Sequence, residues 1–367
     1  MSFMEHFEKL QDPRSHINRR HELLDIMFLT VAATLSGAQG WKDIKTFGDE
    51  KLEWLRKFRD FEAGIPVDDT IARVISSLNP PRFLACVISW VNEVRGEQGH
   101  EHIAIDGKTL RRSFHKSRRC DALHMLSVWV SGSELFFSGA KSKGKKNEVE
   151  TVLELIELLE VKGVVITLDA MSTQRAVAAK IHHKQGDYIL ALKGNQGNLH
   201  KEVKAHFHKC HRDKEVLEHH HYRDVDSRHG RIEERHYIQL PVTDWIEQAP
   251  RWAGLQSVIE VTRTRHIDDQ TTTETQYYIS SLAPDVKACA KHIRQHWGVE
   301  NKVHWVLDMT FREDESRIRR GDGAEIMAMI RRFCMNLTRL HSTKDSVRGK
   351  LKRLSWSDSF REAVLFS

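Results

Sequence analysis

The segment VVITL (Val164–Leu168) is an unbroken apolar run ending directly on Asp169. A run this short and this uniformly apolar predicts a strand buried on both faces, in a sheet with helices on either side. Its surroundings agree. Glu148–Val161 has amphipathic helical spacing, Thr173–Lys184 reads as helix, Asp187–Lys193 as strand and Leu199–Cys210 as helix. Upstream, His102–Ile105 reads as a short strand. Leu123–Val130 and Glu134–Ala140 read as a hairpin around Ser131-Gly132-Ser133. The order is β-β-β-α-β-α-β-α, which predicts a mixed sheet with helices on its faces.

Three further regions frame this core. Residues 1–95 carry apolar positions at helical spacing through Leu23–Leu35, Leu52–Phe61 and Phe83–Val94, and predict an all-helical N-terminal domain. Residues 211–283 contain alternating polar and apolar stretches and predict a β-rich insertion. Helical signal resumes from Asp285 to about Met309 and from Asp322 to about His341, leaving 342–367 as a C-terminal tail. The whole is an α/β chain with the element order of the ribonuclease H-like fold, over 96–341.

Composition narrows the class. Of 367 residues, 40% are hydrophobic and 29% charged, which excludes a collagen-like repeat or a disordered chain. The most apolar stretch, Leu23–Ala38, is shorter than a span of about 20 residues and carries Asp25, so no membrane association is expected. MSFMEHFEKLQDPRSH lacks a signal-peptide pattern. Five scattered cysteines without a CxxC pair read as reduced thiols of a cytoplasmic protein. The net charge of +6 argues little by itself.

Two aspartates follow predicted core strands: Asp106 in IAIDGKTLRRS and Asp169 in VVITLDAMSTQ. Ligands gather at strand C-terminal ends in such sheets. If the two strands are parallel neighbours, both acids share one rim and suit Mg or Mn. A third ligand is expected from the late helix. At about 100° per residue, Glu300 falls within an apolar arc, where a lone carboxylate needs a cation or a strong partner. Asp308, Glu313, Asp314 and Glu315 are competing acids. Three carboxylates holding two ions about 4 Å apart would suit in-line phosphoryl displacement, with Asp106 bridging.

Basic residues cluster around the same elements. Lys108, Arg111, Arg112, Lys116, Arg118 and Arg119 follow Asp106, and Lys141, Lys143, Lys145 and Lys146 follow the hairpin. Arg317, Arg319 and Arg320 follow the late helix, with Arg331, Arg332 and Arg339 beyond. Together they favour a polyanion and salt-dependent binding. Lys193 and Asn195 stand just after a core strand and could face the rim. Trp297 reads either as a core aromatic or as a stacking platform for an unpaired base. The histidine-rich stretch His206–His221 matches no standard zinc spacing and reads as solvated.

With these residues in place, the chain resembles bacterial insertion-sequence transposases of the DDE class, most nearly the H-repeat-associated proteins that accompany Rhs elements. The resemblance rests on GWKDIKTFG, PVDDTIAR, IAIDGKTLRRS, TLDAMSTQ, LKGNQGNL, SRHGRIEER and IRQHWGVENKVHWVLDMTFREDESRIRRG, in that order along nearly the whole chain. It implies that Asp106, Asp169 and Glu300 are the catalytic and metal-binding acids, with two Mg or Mn ions. It also implies DNA contacts through the basic positions above and Arg231. Partners would be element ends and target DNA, with a homodimer or higher oligomer on DNA. Around the glutamate the wider superfamily often has Tyr, Arg and Lys; Ile293, His296 and Leu307 stand there, and His296 could substitute in part. A non-mobile DNA-binding remnant and a stand-alone metal-dependent nuclease are the alternative readings.

Overall fold

The computed structural model describes residues 3–95, 102–110, 124–132, 135–137, 141–142, 148–212, 220–227, 231–268 and 270–366. The chain is mixed α/β and divides into two compact units. One comprises Gln98–Asp106 and Glu148–Gly298; the other comprises Met1–Glu97, Gly107–Asn147 and Val299–Ser367. Elements are numbered along the whole chain.

The Gln98–Asp106/Glu148–Gly298 unit is built on a sheet that begins with the first half of β1 (His102–Thr109). β1 runs parallel to β5 (Val165–Leu168), and β5 parallel to β6 (Asp187–Leu192). Antiparallel pairing then takes over: β6 with β10 (Gln270–Ser280), β10 with β9 (Ser257–Ile267), β9 with β8 (Arg231–Pro241) and β8 with β7 (His221–Asp226). The strands expected to form an insertion therefore continue the core sheet, because β10 pairs directly with β6.

Helices cover this sheet. In α6 (Glu148–Leu158), Thr151, Val152, Leu155 and Ile156 recur at helical spacing and are all buried. α7 (Arg175–His183) joins β5 to β6 and turns Val177, Ala178 and Ile181 inward; α8 (Gly197–Cys210) does the same with Leu199, Val203 and Phe207. α9 (Val286–His296) seats Cys289, Ala290 and Ile293 against Val165, Ile189, Tyr237, Ile259 and Tyr278.

In the other unit, α1 (Met4–Phe7), α2 (Leu23–Leu35), α3 (Trp41–Leu55), α4 (Asp68–Ile75) and α5 (Pro80–Arg95) form the helical front end. Here too lie β2 (His124–Val130), β3 (Leu135–Phe137) and β4 (Lys141–Ser142), with β2 antiparallel to both β3 and β4. The centre of this unit is a helix from the far end of the chain, α11 (Gly323–Leu340), buried from Glu325 to Thr338. Its Phe333 packs against Phe3, Phe7 and Trp90, with ring centroids 5.3, 5.5 and 4.7 Å away. Such aromatic clusters favour tilted and edge-on contacts over face-to-face stacks. Asn336 on the same helix accepts from the Phe136 N–H at 2.8 Å and donates to the Phe136 carbonyl.

Two expectations need correcting. The single helix from Asp285 to Met309 is broken: α9 ends at His296, a π-helical turn covers Val299–His304, and α10 (Trp305–Met309) follows. The pitch of that turn differs from 100° per residue, although Val299, Val303 and Leu307 of the expected apolar arc are still buried. The segment after 341 is no simple tail. It forms α12 (Val347–Trp356) and α13 (Asp358–Leu365), capped by Ser346 and Ser357 hydroxyls that accept from Gly349 and Phe360 amides. They bury Leu351, Leu354, Phe360, Val364 and Leu365. Among the described residues no single helix is long and apolar enough to cross a membrane.

One ion pair ties this unit together. Glu313 and Arg332 are wholly buried partners, and Lys108 Nζ lies 3.4 Å from the second Glu313 oxygen. Burial alone would raise the Glu313 pKa; Arg332 and then Lys108 overcome it and hold the carboxyl below its ordinary range. Glu313→Ala leaves a buried guanidinium without its counter-charge and should cost about 3–5 kcal/mol in urea unfolding. Because the folded pKa is depressed, the pair's contribution is complete above the ordinary glutamate range and lost as pH falls through the folded value. Wild type should therefore lose stability on acidification faster than the variant.

Candidate active site

Within the Gln98–Asp106/Glu148–Gly298 unit, Ile105 of β1 stands opposite Leu168 of β5. Asp106 and Asp169 are thus the next residues along two parallel neighbours, whose spacing is about 4.8 Å. Side chains alternate along a strand. Asp106 consequently shares a face with His102 and Ala104, whose partners are Val165 and Thr167. On that face His102 Nε2 meets Thr167 Oγ1 at 2.8 Å. Both aspartates are half-buried.

The turn that carries Asp169 is held from several sides. The Ser172 amide donates to Asp169 Oδ1 at 3.1 Å. Thr173 Oγ1 donates to the Ala191 carbonyl at 2.7 Å, and Gln196 Nε2 to the Thr173 carbonyl at 3.0 Å. Asn195 Nδ2 donates to the Ala170 carbonyl at 2.5 Å. Ser172 Oγ donates to Glu148 Oε1 at 2.8 Å, and Glu148 is only 3% exposed. Burial raises the Asp169 pKa and outweighs the Ser172 amide bond that lowers it; the nearby Glu148 charge adds to the rise, while the Met171 amide and Lys193 oppose it.

Glu148 is the residue that sequence reasoning passed over. A signal existed, since it lies three, four, seven and eight residues before Thr151, Val152, Leu155 and Ile156 and so falls on the buried stripe of its own helix. An acid in phase with an apolar stripe needs a reason to be there. Here it anchors the turn beneath Asp169.

The donor chemistry suits a divalent cation. Two carboxylates end adjacent parallel strands, and one is destabilised as an anion by burial and a neighbouring acid, a penalty that a bound cation relieves. No cluster of three His, Cys, Asp or Glu side chains placed to hold a metal occurs among the described residues. Glu300 belongs to the other unit, on the π-helical turn, and its side chain lies outside the described residues.

The expected DNA contacts divide sharply. Lys108 is not a free surface cation: its ammonium pairs with Asp308 and faces Glu313. Arg332 is spent on Glu313, and Arg331 is buried as well. His296 bonds through Nδ1 to Thr167 Oγ1 at 2.8 Å, and burial pulls its pKa down to about 4. A neutral ring is a poor replacement for an arginine. The Arg263 guanidinium carbon sits 4.3 Å from the Trp297 ring centroid, so one face of that ring is already occupied. Lys193, Asn195, Arg317, Arg319 and Arg320 are exposed. Arg111, Arg112, Lys116, Arg118, Arg119, Lys143, Lys145 and Lys146 lie outside the described residues, as do the side chains of Arg231 and Lys141. In the histidine-rich stretch, His206 stacks on Trp245 at 3.3 Å between centroids and approaches Cys210 Sγ at 3.3 Å.

Residues 97–337 match the family described as Transposase DDE domain, and residues 4–91 match the one described as DDE_Tnp_1-associated. The chain belongs to the DDE transposase family, whose members generally act with divalent metal ions on DNA. It is 39% identical over 368 residues to the "H repeat-associated putative transposase YhhI" of Escherichia coli K12, covering 99% of this chain and 97% of that one. It is equally 39% identical over 374 residues to the "Putative transposase YncI" of Escherichia coli O157:H7, covering 100% and 95%. Over 241 residues it is 39% identical to the "H repeat-associated putative transposase YbfD" of Escherichia coli K12, covering 66% and 94%.

A raised carboxylate pKa has a definite thermodynamic sign. The folded state holds the Asp169 proton at a pH where the unfolded chain has lost it, so stability falls as pH rises from the ordinary aspartate range through the folded value. In metal-free buffer near neutral pH, Asp169→Asn should therefore melt higher than wild type. The gap should close on acidification below the ordinary aspartate range, as followed by circular dichroism.

Proposed function

We propose that the chain is an active DNA transposase: it hydrolyses a phosphodiester at the ends of its element and joins the freed 3′-hydroxyl to target DNA. The observation that carries the reading is the register that sets Asp106 beside Asp169 on parallel strands, in a chain of this family. The finer fold assignment belongs here too, a ribonuclease H-like catalytic domain over 96–341 behind a helical domain over 1–95. The two C-terminal helices extend past that domain.

In this reading Asp106, Asp169 and Glu300 are the residues that would hold two Mg or Mn ions. Such ions, when bound, lower the pKa of the attacking hydroxyl or water and stabilise charge on the leaving oxygen. The chain's own part is to orient. The Ser172 amide and the Glu148-anchored turn fix the Asp169 carboxylate, and Asn195 holds the same turn from the end of β6. Lys193, exposed beside that turn, supplies a positive field for a phosphate. DNA ends and target are the partners, with a homodimer or higher oligomer assembling on them. A cytoplasmic site of action follows from that substrate.

The test is nicking and joining on duplexes carrying the element's terminal sequences, with Mg or Mn. Wild type should nick and join, whereas Asp106→Ala, Asp169→Ala and Glu300→Ala should each fall to the uncatalysed background while still binding DNA. Nicking that persists in those variants would remove the acids from the mechanism. Cutting without joining would mark a nuclease, and binding without cutting a remnant.

A further inference from the structure

In the Met1–Glu97/Gly107–Asn147/Val299–Ser367 unit, a cavity of about 900 Å³ lies between the start of α3 and the segment that leads into α11. That is within the size of about 300–1,000 Å³ usual for ligand pockets. Its walls include Gly40, Trp41, Arg312, Arg317, Arg319 and Arg331. Arg320 also contributes, and Glu315 is the acid on the wall, 3.9 Å from Arg312 Nε.

Arg331 is the unusual member. It is 3% exposed, yet its hydrogen bond is to a neutral group, Ser316 Oγ, at 3.1 Å. Among the described residues no carboxylate lies within ion-pair distance of it. Its neighbour Arg332 is equally buried but is neutralised by Glu313. Two adjacent arginines on one helix thus have opposite fates, and Glu313 is already engaged by Arg332 and Lys108. The Glu313 charge also reaches Arg331, but it is shared with Arg332 and Lys108. A buried cation without a direct ion pair therefore lines the cavity and favours an anion from outside.

The rest of the wall suits the same ligand. Guanidinium forks match phosphate oxygens in bidentate geometry. The 15-residue helix α3 directs its N-terminus at the cavity, and Asp43 takes the Gln39 and Gly40 amides, leaving the later first-turn amides for a ligand. Half-buried Trp41 offers a flat surface to a sugar or base.

We infer that this cavity is a binding site for a backbone phosphate of a DNA strand, built jointly by the helical front end and the segment after Glu300. The inference rests on the transposase reading for its choice of DNA over a free anion. It gives the front end a sequence-independent role, positioning the strand rather than reading its bases.

Two substitutions in the full chain test it. Arg331→Gln removes the buried charge. Gly40→Asp adds a negative charge from the opposite wall and leaves Arg331 in place. Gly40 has φ −141°, and a Cβ there meets nothing within 4 Å, so the variant should fold. An aspartate at that cap should even favour the helix. Binding of a fluorescein-labelled duplex of arbitrary sequence is followed by anisotropy across a salt series. Each variant should bind several-fold more weakly, and the slope of log K against log salt should shrink by about one.

The series is run in EDTA, where no divalent ion supports cutting, so the slope reports this site whatever the catalytic reading's outcome. Should Arg331→Gln fail to fold, Gly40→Asp alone decides. Wild-type affinity and slope in the folded variants would overturn the inference. So would a result in which inorganic phosphate raises the melting temperature of wild type but not of the variants while DNA binding is unchanged, since the site would then serve free anions.

Discussion

Glu313 is an acid buried away from the surface, and much of its unit is arranged to tolerate that. Arg332 reaches it from the central helix α11 and Lys108 from the end of β1, while Asp308 of α10 shares the lysine. Isolated, each of these charges would be expelled from a core. Together they fix where the chain must run after the π-helical turn, and they hold α11 in its place among the aromatic rings. Removing one partner is costlier than never having had the pair, because the remaining charge has nowhere to go.

The same network shows how far charge can be read from a sequence. Lys108, Arg331 and Arg332 look like members of basic clusters, and all three are partly or wholly withdrawn from solvent. Composition counts cations without saying which carry an internal partner. Strand identity was more legible. Uniformly apolar runs such as Val164–Leu168 have few alternatives, and the aspartate after each marked the rim. Pairing partners were harder: β10 lies on β6, although nearly eighty residues of sequence separate them, and local pattern carries no information about that contact. The break at Val299–His304 and the two C-terminal helices escaped for different reasons. A π turn leaves Val299, Val303 and Leu307 all buried, so the apolar seam continues through it. The last helices are short, and their apolar positions are divided by Ser357.

Function follows from a division of labour among polar groups. Those on the turn after β5 spend their hydrogen bonds on backbone and on one another, which makes Asp169 a fixed point. Glu148 completes that scaffold from beneath while adding to the charge crowding that a cation relieves. His296 and Trp297, which look suited to DNA from sequence, are committed to Thr167 and Arg263.

Asn336 has a consequence beyond local satisfaction. β3 is the terminal strand in its sheet order, and the outward N–H and C=O of Phe136 are a template on which any extended peptide could lay itself. The carboxamide of Asn336 presents one donor and one acceptor at the spacing of a neighbouring strand and occupies both groups. A single side chain thereby impersonates a backbone and closes that margin against strand addition. At high local concentration the chain then has one route to β-aggregation fewer.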